Sequence, residues 1–464
     1  MRAVRGKVPV AALCAVACAG LLATGRARRL RLPKHLVSHG QAFFEEELLS
    51  ADAAAQLRNV VKRLKDFPTN VRDAGFYPAL REHIGEAQPI DERGRCADPF
   101  LVPNLNQTEC ILPGRIDIGR HYILTGGVQG YREGVEALSS RVQSFGHYLF
   151  DLAPFPEVRT LFNDEKFVTL ARRVCPEDKQ HLDPFQFNVI VQLPGQTVAA
   201  HLDAPYFWGA TRFQLPQWLL AAMVFSGRFE SRFVDQVQVV AYLHEWERPG
   251  KGGDFVHWAE PELGLDDAVG GTVAAKESRS SPTPRSGSAI DGSKRVHAAE
   301  VYLGSSDSPA LPFIDKSERN ILSFEGPHDE GGWKLRANGR LLQQYSTSDL
   351  RTSIVYRARC FRGPEEAERF AGRGGPHDEL IPLEDVLKVL ADEMVRRGVV
   401  ASVHEALRMD RRALAIAILD TFVSYPLPSY GLVPYNYCVL PRLVPRWAVS
   451  ITTYALRPFC SSVS

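Results

Sequence analysis

The chain has 464 residues, 45% hydrophobic and 23% charged, with a formal net charge of +1. That composition is globular and leaves room for one elaborated domain or for two or three. A net charge this close to zero excludes a global electrostatic pull on nucleic acid or on acidic partners.

The first acidic residue is Glu45. Arg2, Arg5 and Lys7 precede an apolar run at residues 8–25, and Arg26, Arg28, Arg29, Arg31 and Lys34 follow it. Residues 1–34 read as a signal anchor that would hold the chain to a membrane, a cleaved signal peptide, or a targeting segment for a mitochondrion or plastid. Cysteine usage leans toward the secretory pathway, in the ER or Golgi membrane or lumen. Outside the apolar run stand Cys96, Cys110, Cys175, Cys360, Cys438 and Cys460, an even number that permits disulfides. Cys96 and Cys110 flank a Pro/Asn loop that one bridge could close, and that loop carries the glycosylation sequon Asn106-Gln107-Thr108.

Residues 41–65 have the apolar spacing of a helix. Residues 66–130, broken by Pro and Gly, read as irregular, and 131–174 read as helical again. Residues 35–184 thus form an N-terminal region of helices and loops. From Phe185 the pattern changes to strands. "FQFNVIVQL" ends at Pro194-Gly195, and "TVAAHLD", "DQVQVVAYLHEW", "GGDFVHW", "KRVHAAEVYL" and "LRTSIVYRARCF" follow. Residues 264–293, rich in Gly, Ser, Ala, Pro and charge, read as a flexible insertion. Short strands between turns predict an all-β sandwich or barrel, not a βαβ array. Residues 363–464 return to amphipathic helices and end in a Pro/Tyr/Arg-rich tail.

Chemistry concentrates in the strand region. A histidine and a carboxylate two apart at a strand end, joined by a second histidine from a neighbouring strand, hold a divalent metal on one face. The tripeptide His-Leu-Asp occurs twice. His181-Leu182-Asp183 follows a charged stretch and leads into the first core strand. His201-Leu202-Asp203 follows a strand, a Pro-Gly turn and a second strand, and alternation lets Leu202 point away from a metal. His244, His257, His297 and His328 compete as the third ligand, and His297 has the best context, within an alternating run. Arg351 and Ser353, two apart on a strand, face one side and suit a carboxylate. Tyr206, Phe207 and Trp208 follow the metal strand and are candidate pocket walls.

In this order "PGQTVAAHLDAPY", "YLHEWERPGKGGDF", "PRSGSAIDGSKRVHA" and "LRTSIVYR" resemble the core of Fe(II)/2-oxoglutarate-dependent dioxygenases, over residues 185–362. The resemblance implies an α+β chain. Its double-stranded β-helix core (jelly-roll, cupin-like) at 185–362, with insertions at 264–293 and 304–349, is flanked by N-terminal and C-terminal helical regions. It implies His201, Asp203 and His297 as iron ligands and Arg351 with Ser353 as 2-oxoglutarate contacts. Gln192 stands where hydroxylases of this family often place a tyrosine that touches the cosubstrate. The implied cofactors are Fe(II) and 2-oxoglutarate, with ascorbate as an optional addition; the partners are O2 and an unidentified substrate. The implied activity is oxidative decarboxylation of 2-oxoglutarate coupled to substrate oxidation, usually hydroxylation. One departure stands out: residues between His297 and Arg351 must loop out of the barrel. The competing reading is a non-catalytic cupin-type binding or scaffold protein of the secretory pathway. No nucleic-acid partner is indicated, and no G-x-S-x-G elbow, H-E-x-x-H or P-loop is present.

Overall fold

The computed structural model describes residues 31–37, 42–69, 88–104 (less 93, 95 and 99), 108–246, 252–259, 272–327, 331–371, 380–428, 435–444 and 446–460. The apolar run at 8–25, Asn106 and His328 lie outside the described residues. Among the described residues no helix is long and apolar enough to cross a membrane.

The region before the core includes β1 (Phe43–Glu45), α1 (Ala51–Leu64), β2 (Asp66–Pro68), α2 (Ile116–Thr125), β3 (Phe145–Tyr148) and α3 (Glu165–Val174). Core strands follow: β4 (His181–Gln192) and β5 (Val198–His201), then α4 (Gln217–Ser226), β6 (Gln236–Tyr242), β7 (Phe255–Ala259), β8 (Lys276–Ser280), β9 (Gly287–Ile290) and β10 (His297–Ala299). An inserted group, β11 (Asn320–Glu325), β12 (Gly332–Ala337) and β13 (Arg340–Tyr345), precedes the last core strand, β14 (Arg351–Phe361). The helices α5 (Leu383–Arg396) and α6 (Arg411–Phe422) come after it.

Sequence sets the flanking helices locally. Ser50 caps α1 by accepting from the Ala53 N–H, and Asp164 caps α3 by accepting from the Phe167 N–H. In α3 the buried residues Phe167, Leu170, Ala171 and Val174 form one stripe at helical spacing.

The strands form a large sheet in the order β1-β9-β6-β14-β4-β3 and a small one in the order β8-β7-β10-β5. Every pairing in both is antiparallel. The chain shuttles between them: β4 large, β5 small, β6 large, β7 and β8 small, β9 large, β10 small, β14 large. Alternation then sorts the faces. On the large sheet Val189, Val191, Val237, Val239, Ile354 and Tyr356 pack in one apolar cluster with α1 and α3. Their neighbours Gln186, Asn188, Gln192, Gln236, Gln238, Arg351 and Ser353 are buried and polar. On the small sheet Ala200, Leu202, Val256, Trp258 and Ala298 pack in a second cluster with α4, α5 and α6. His201, Asp203 and His297 lie on the other side. The apolar layers are outside and a polar layer is between the sheets.

Several expectations change. Residues 264–293 read as a flexible insertion, yet β8 and β9 lie within them as core strands, paired with β7 and with β6 and β1. The small residues that suggested flexibility serve close approach: a Cβ on Gly287 would sit 2.2 Å from Leu48 Cδ2 and 2.9 Å from the Val240 carbonyl oxygen. The helical reading of 41–65 gives way at its start to the edge strand β1, and that of 131–174 is interrupted by the edge strand β3, because both complete the large sheet. The irregular stretch 66–130 contains α2. Residues 304–349 carry β11–β13, which with β2 form a separate sheet in the order β13-β12-β11-β2.

Among the described residues three disulfides form: Cys96–Cys110, Cys175–Cys360 and Cys438–Cys460. The second joins the end of α3 to β14 across 185 residues of sequence. Replacing both of its cysteines with serine is expected to cost about 2–4 kcal/mol of stability. Urea denaturation of the two proteins measures this; an unshifted midpoint would show that the bridge constrains nothing.

Candidate metal centre

β5 and β10 are neighbours in the small sheet, and their register sets His201 opposite His297. Asp203 lies just beyond β5, where its N–H donates to the Gly292 carbonyl oxygen at 2.7 Å. His201 Nε2 is 3.5 Å from Asp203 Oδ1, and His297 Nε2 is 3.9 Å from Asp203 Oδ2. One ligand atom from each residue lies within 4.8 Å of the others.

Hydrogen bonds fix which atoms face inward. His201 Nδ1 donates to the Ala199 carbonyl oxygen at 2.8 Å, and His297 Nδ1 donates to the Arg295 carbonyl oxygen at 3.0 Å. Carbonyls only accept, so both rings carry their proton on Nδ1 and present the Nε2 lone pair to the site. Burial, with His201 next to it, lowers the His297 pKa to about 3, so the imidazole is neutral as a ligand must be. Burial alone would raise the Asp203 pKa. The Arg357 guanidinium beside it outweighs burial and holds the carboxyl well below the usual range.

Arg357 completes this arrangement. Its Nη2 donates to Asp203 Oδ1 at 2.5 Å and its Nε to Gln238 Oε1 at 2.7 Å, while Gln238 Nε2 lies 3.4 Å from His297 Nε2. Asp203 Oδ2 is buried with no hydrogen-bond partner among the described residues. A buried carboxylate oxygen left over, beside two inward lone pairs, fits a divalent cation. Gly292 leaves the room: a Cβ there would lie 2.2 Å from Asp203 Oδ2 and 2.8 Å from His297 Cε1.

The other candidates are distributed as follows. Arg351 and Gln192 face each other across β14 and β4, with Arg351 Nη1 donating to Gln192 Oε1. The Arg351 guanidinium carbon lies 5.0 Å from the centre of the Tyr242 ring, and Tyr242 pairs with Ser353. Gly253, at φ +78°, admits the arginine between the sheets, since a Cβ there would stand 3.1 Å from Arg351 Cδ and Nε. A cavity of about 290 Å³ reaches His201, Asp203 and Arg357; Arg351, Ser353 and Gln192 are buried and do not line it. Tyr206, Phe207 and Trp208 do not line it either. Residues 206–207 pair with 233–234, and this turns the three rings into apolar clusters with Phe361, Phe370 and Phe229. His244 stacks on Trp246 at 3.8 Å. His257 pairs across from His297 but is not in the ligand group. In the first tripeptide, Asp183 pairs with Arg359 on the neighbouring strand β14.

Sequence reasoning missed Arg357, Gln238 and Gly292. Arg357 was the most accessible, because it continues the alternation that places Arg351 and Ser353 on one face.

No family model and no curated protein matches the chain. Among solved structures it is similar to a Pseudomonas putida prolyl-4-hydroxylase, at 13% identity over 70% of this chain and 95% of that chain, with a TM-score of 0.25. It is similar to a prolyl hydroxylase from Trichoplax adhaerens, in complex with a hypoxia inducible factor peptide fragment, at 9% identity over 78% and 97%, with a TM-score of 0.30. HygX from Streptomyces hygroscopicus, with nickel, 2-oxoglutarate and hygromycin B bound, matches at 8% identity over 69% and 84%, with a TM-score of 0.28. Identities and TM-scores this low assign no residue of this chain a role.

Gly292→Ala is expected to displace Asp203 and weaken Ni(II) binding at least tenfold, measured by isothermal titration with circular dichroism as the check on folding. Wild-type affinity in a folded variant would show that Asp203 Oδ2 does not face the metal.

Proposed function

We propose that the chain is an Fe(II)- and 2-oxoglutarate-dependent oxygenase, of the hydroxylase type, on a double-stranded β-helix. The carrying observation is the His201–Asp203–His297 group with its two Nε2 lone pairs and the unpartnered Asp203 Oδ2. Two imidazoles and one carboxylate suit iron and leave positions open for a cosubstrate and O2. The alternation of successive strands between two antiparallel sheets supports the jelly-roll reading.

Arg351 supports 2-oxoglutarate as the cosubstrate. It is 4% exposed, burial lowers its pKa, its Nε has no hydrogen-bond partner among the described residues, and it donates to the neutral Gln192. A buried guanidinium without an anion is costly. The far carboxylate of a dicarboxylate would supply the anion, with Ser353 two residues on as a further donor. Iron and 2-oxoglutarate, when bound, would supply the oxidising chemistry, with succinate and CO2 as co-products. The protein's own part is to hold the donor set, fix the Nδ1 protons of both histidines on backbone carbonyls, and seal the inner face from water. The intact donor set gives no support to the non-catalytic reading. Six paired cysteines of eight support an oxidising, secretory compartment, with the run at 8–25 as a tether or signal.

Metal-reconstituted protein should convert 2-oxoglutarate to succinate only with Fe(II). His201→Ala should abolish turnover, His181→Ala should retain it, and Arg351→Ala should raise the KM for 2-oxoglutarate at least tenfold. Absence of 2-oxoglutarate binding by metal-loaded wild type would sink the reading.

A further inference from the structure

We propose that the substrate carries an oxyanion (carboxylate, sulfate or phosphate) and that Arg212, with Lys316 at the rim, receives it beside the metal. The proposal rests on the oxygenase reading for the identity of the reaction, though not for the anion site itself. The cavity that reaches His201 and Asp203 is lined by Arg115, Arg212, Lys316 and Arg357, and among the described residues the only acidic side chain on its walls is Asp203. Walls of one sign focus the field inside a cleft and concentrate the opposite charge there.

The partners of each cation narrow the assignment. Arg357 is occupied by Asp203 and Gln238. Arg115 is paired with Asp117 at 2.8 Å and also donates to the Leu202 carbonyl oxygen at 2.9 Å. Arg212 differs: its Nη1 donates to the amide oxygen of Gln186 at 3.0 Å, and no carboxylate among the described residues pairs with it. Gln186 is itself held, its Nε2 donating to Asn188 Oδ1 at 3.2 Å, and both amides are buried on the inner face of β4. The Arg212 guanidinium is therefore held in place by neutral groups, with donors left for a ligand. Arg115, Arg212 and Arg357 line the same cavity, and a bound anion would offset the repulsion between their like charges. Lys316, exposed on the segment before β11, adds a further cation at the rim. A divalent metal and a 2-oxoglutarate dianion cancel each other's charge, so the Arg212 charge, which no carboxylate among the described residues offsets, persists in the loaded site.

The test uses the full chain loaded with Ni(II) and 2-oxoglutarate. Its Tm is measured in acetate, sulfate and phosphate titrations, each against chloride at equal ionic strength. Wild type should show a saturable rise with at least one oxyanion, and the three arms report which class is preferred. In Arg212→Gln/Lys316→Ala the apparent Kd for that oxyanion should weaken at least tenfold, while the Kd for 2-oxoglutarate stays within twofold. Lys316→Ala alone, on an exposed segment, should give an intermediate weakening and guards against a folding defect in the double variant. Equal shifts in all proteins would mean general salt stabilisation and overturn the proposal. So would the lack of a saturable shift in wild type. A parallel loss of 2-oxoglutarate affinity would assign Arg212 to the cosubstrate and overturn it as well. If wild type binds no 2-oxoglutarate, the oxygenase reading fails, and the Ni(II)-loaded chain still answers the oxyanion question.

Discussion

The ion pair between Arg357 on the large sheet and Asp203 beyond β5 of the small one bridges the space that elsewhere in a sandwich would hold apolar side chains. A buried pair of this kind costs desolvation, and the cost is acceptable only when the remaining donors and acceptors are met. Gln238 meets the Arg357 Nε–H, and the Gly292 carbonyl meets the Asp203 N–H. The one acceptor left over, Asp203 Oδ2, faces the two imidazoles. One interaction thus ties the sheets together, aims the carboxylate and keeps it ionised.

A polar interior obliges the hydrophobic stabilisation to come from elsewhere. Each sheet turns its apolar alternates outward and needs a helical cover. The N-terminal helices α1 and α3 supply it on the large sheet, and α4, α5 and α6 on the small one. The helical regions on either side of the core in sequence are therefore part of what makes a water-poor polar pocket stable. Trp218, Leu219, Leu220 and Met223 of α4 are wholly buried in that cover, which explains a helix with apolar residues on every side.

Much of this was legible in the sequence, because alternation within a strand is local. The second His-Leu-Asp lies where its turn and strand context put it, and Arg351 and Ser353 share a face because they are two apart. The choice of His297 over His244 or His257 rested on strand context alone. What brings His297 to His201 is the register of β10 against β5, a pairing of residues far apart in sequence. Composition misled at 264–293, because small residues signal both flexibility and tight packing. Gly287 lacks a side chain because Leu48 and the Val240 carbonyl of β6 lie against it. Tyr206, Phe207 and Trp208 follow the metal strand in sequence, but a short hairpin turns them out of the cavity.

The long connection from His297 to Arg351, which looked like the weak link in the sequence, has a physical resolution. β14 is a central strand, paired along its length with β4 on one side and β6 on the other. Those ladders set its register, so the connection has only to reach it. Lengthening a loop adds closure entropy slowly, by well under 1 kcal/mol for each doubling. The inserted residues also repay part of that cost by folding onto β2 as their own sheet, with Trp333 and Leu335 in the apolar cluster behind β14. Arg351 and Arg357 are then fixed six residues apart on one strand, about 20 Å of backbone. The distance between the buried cationic end and the metal end of the inner face is a property of β14, whatever the length of the chain that leads into it.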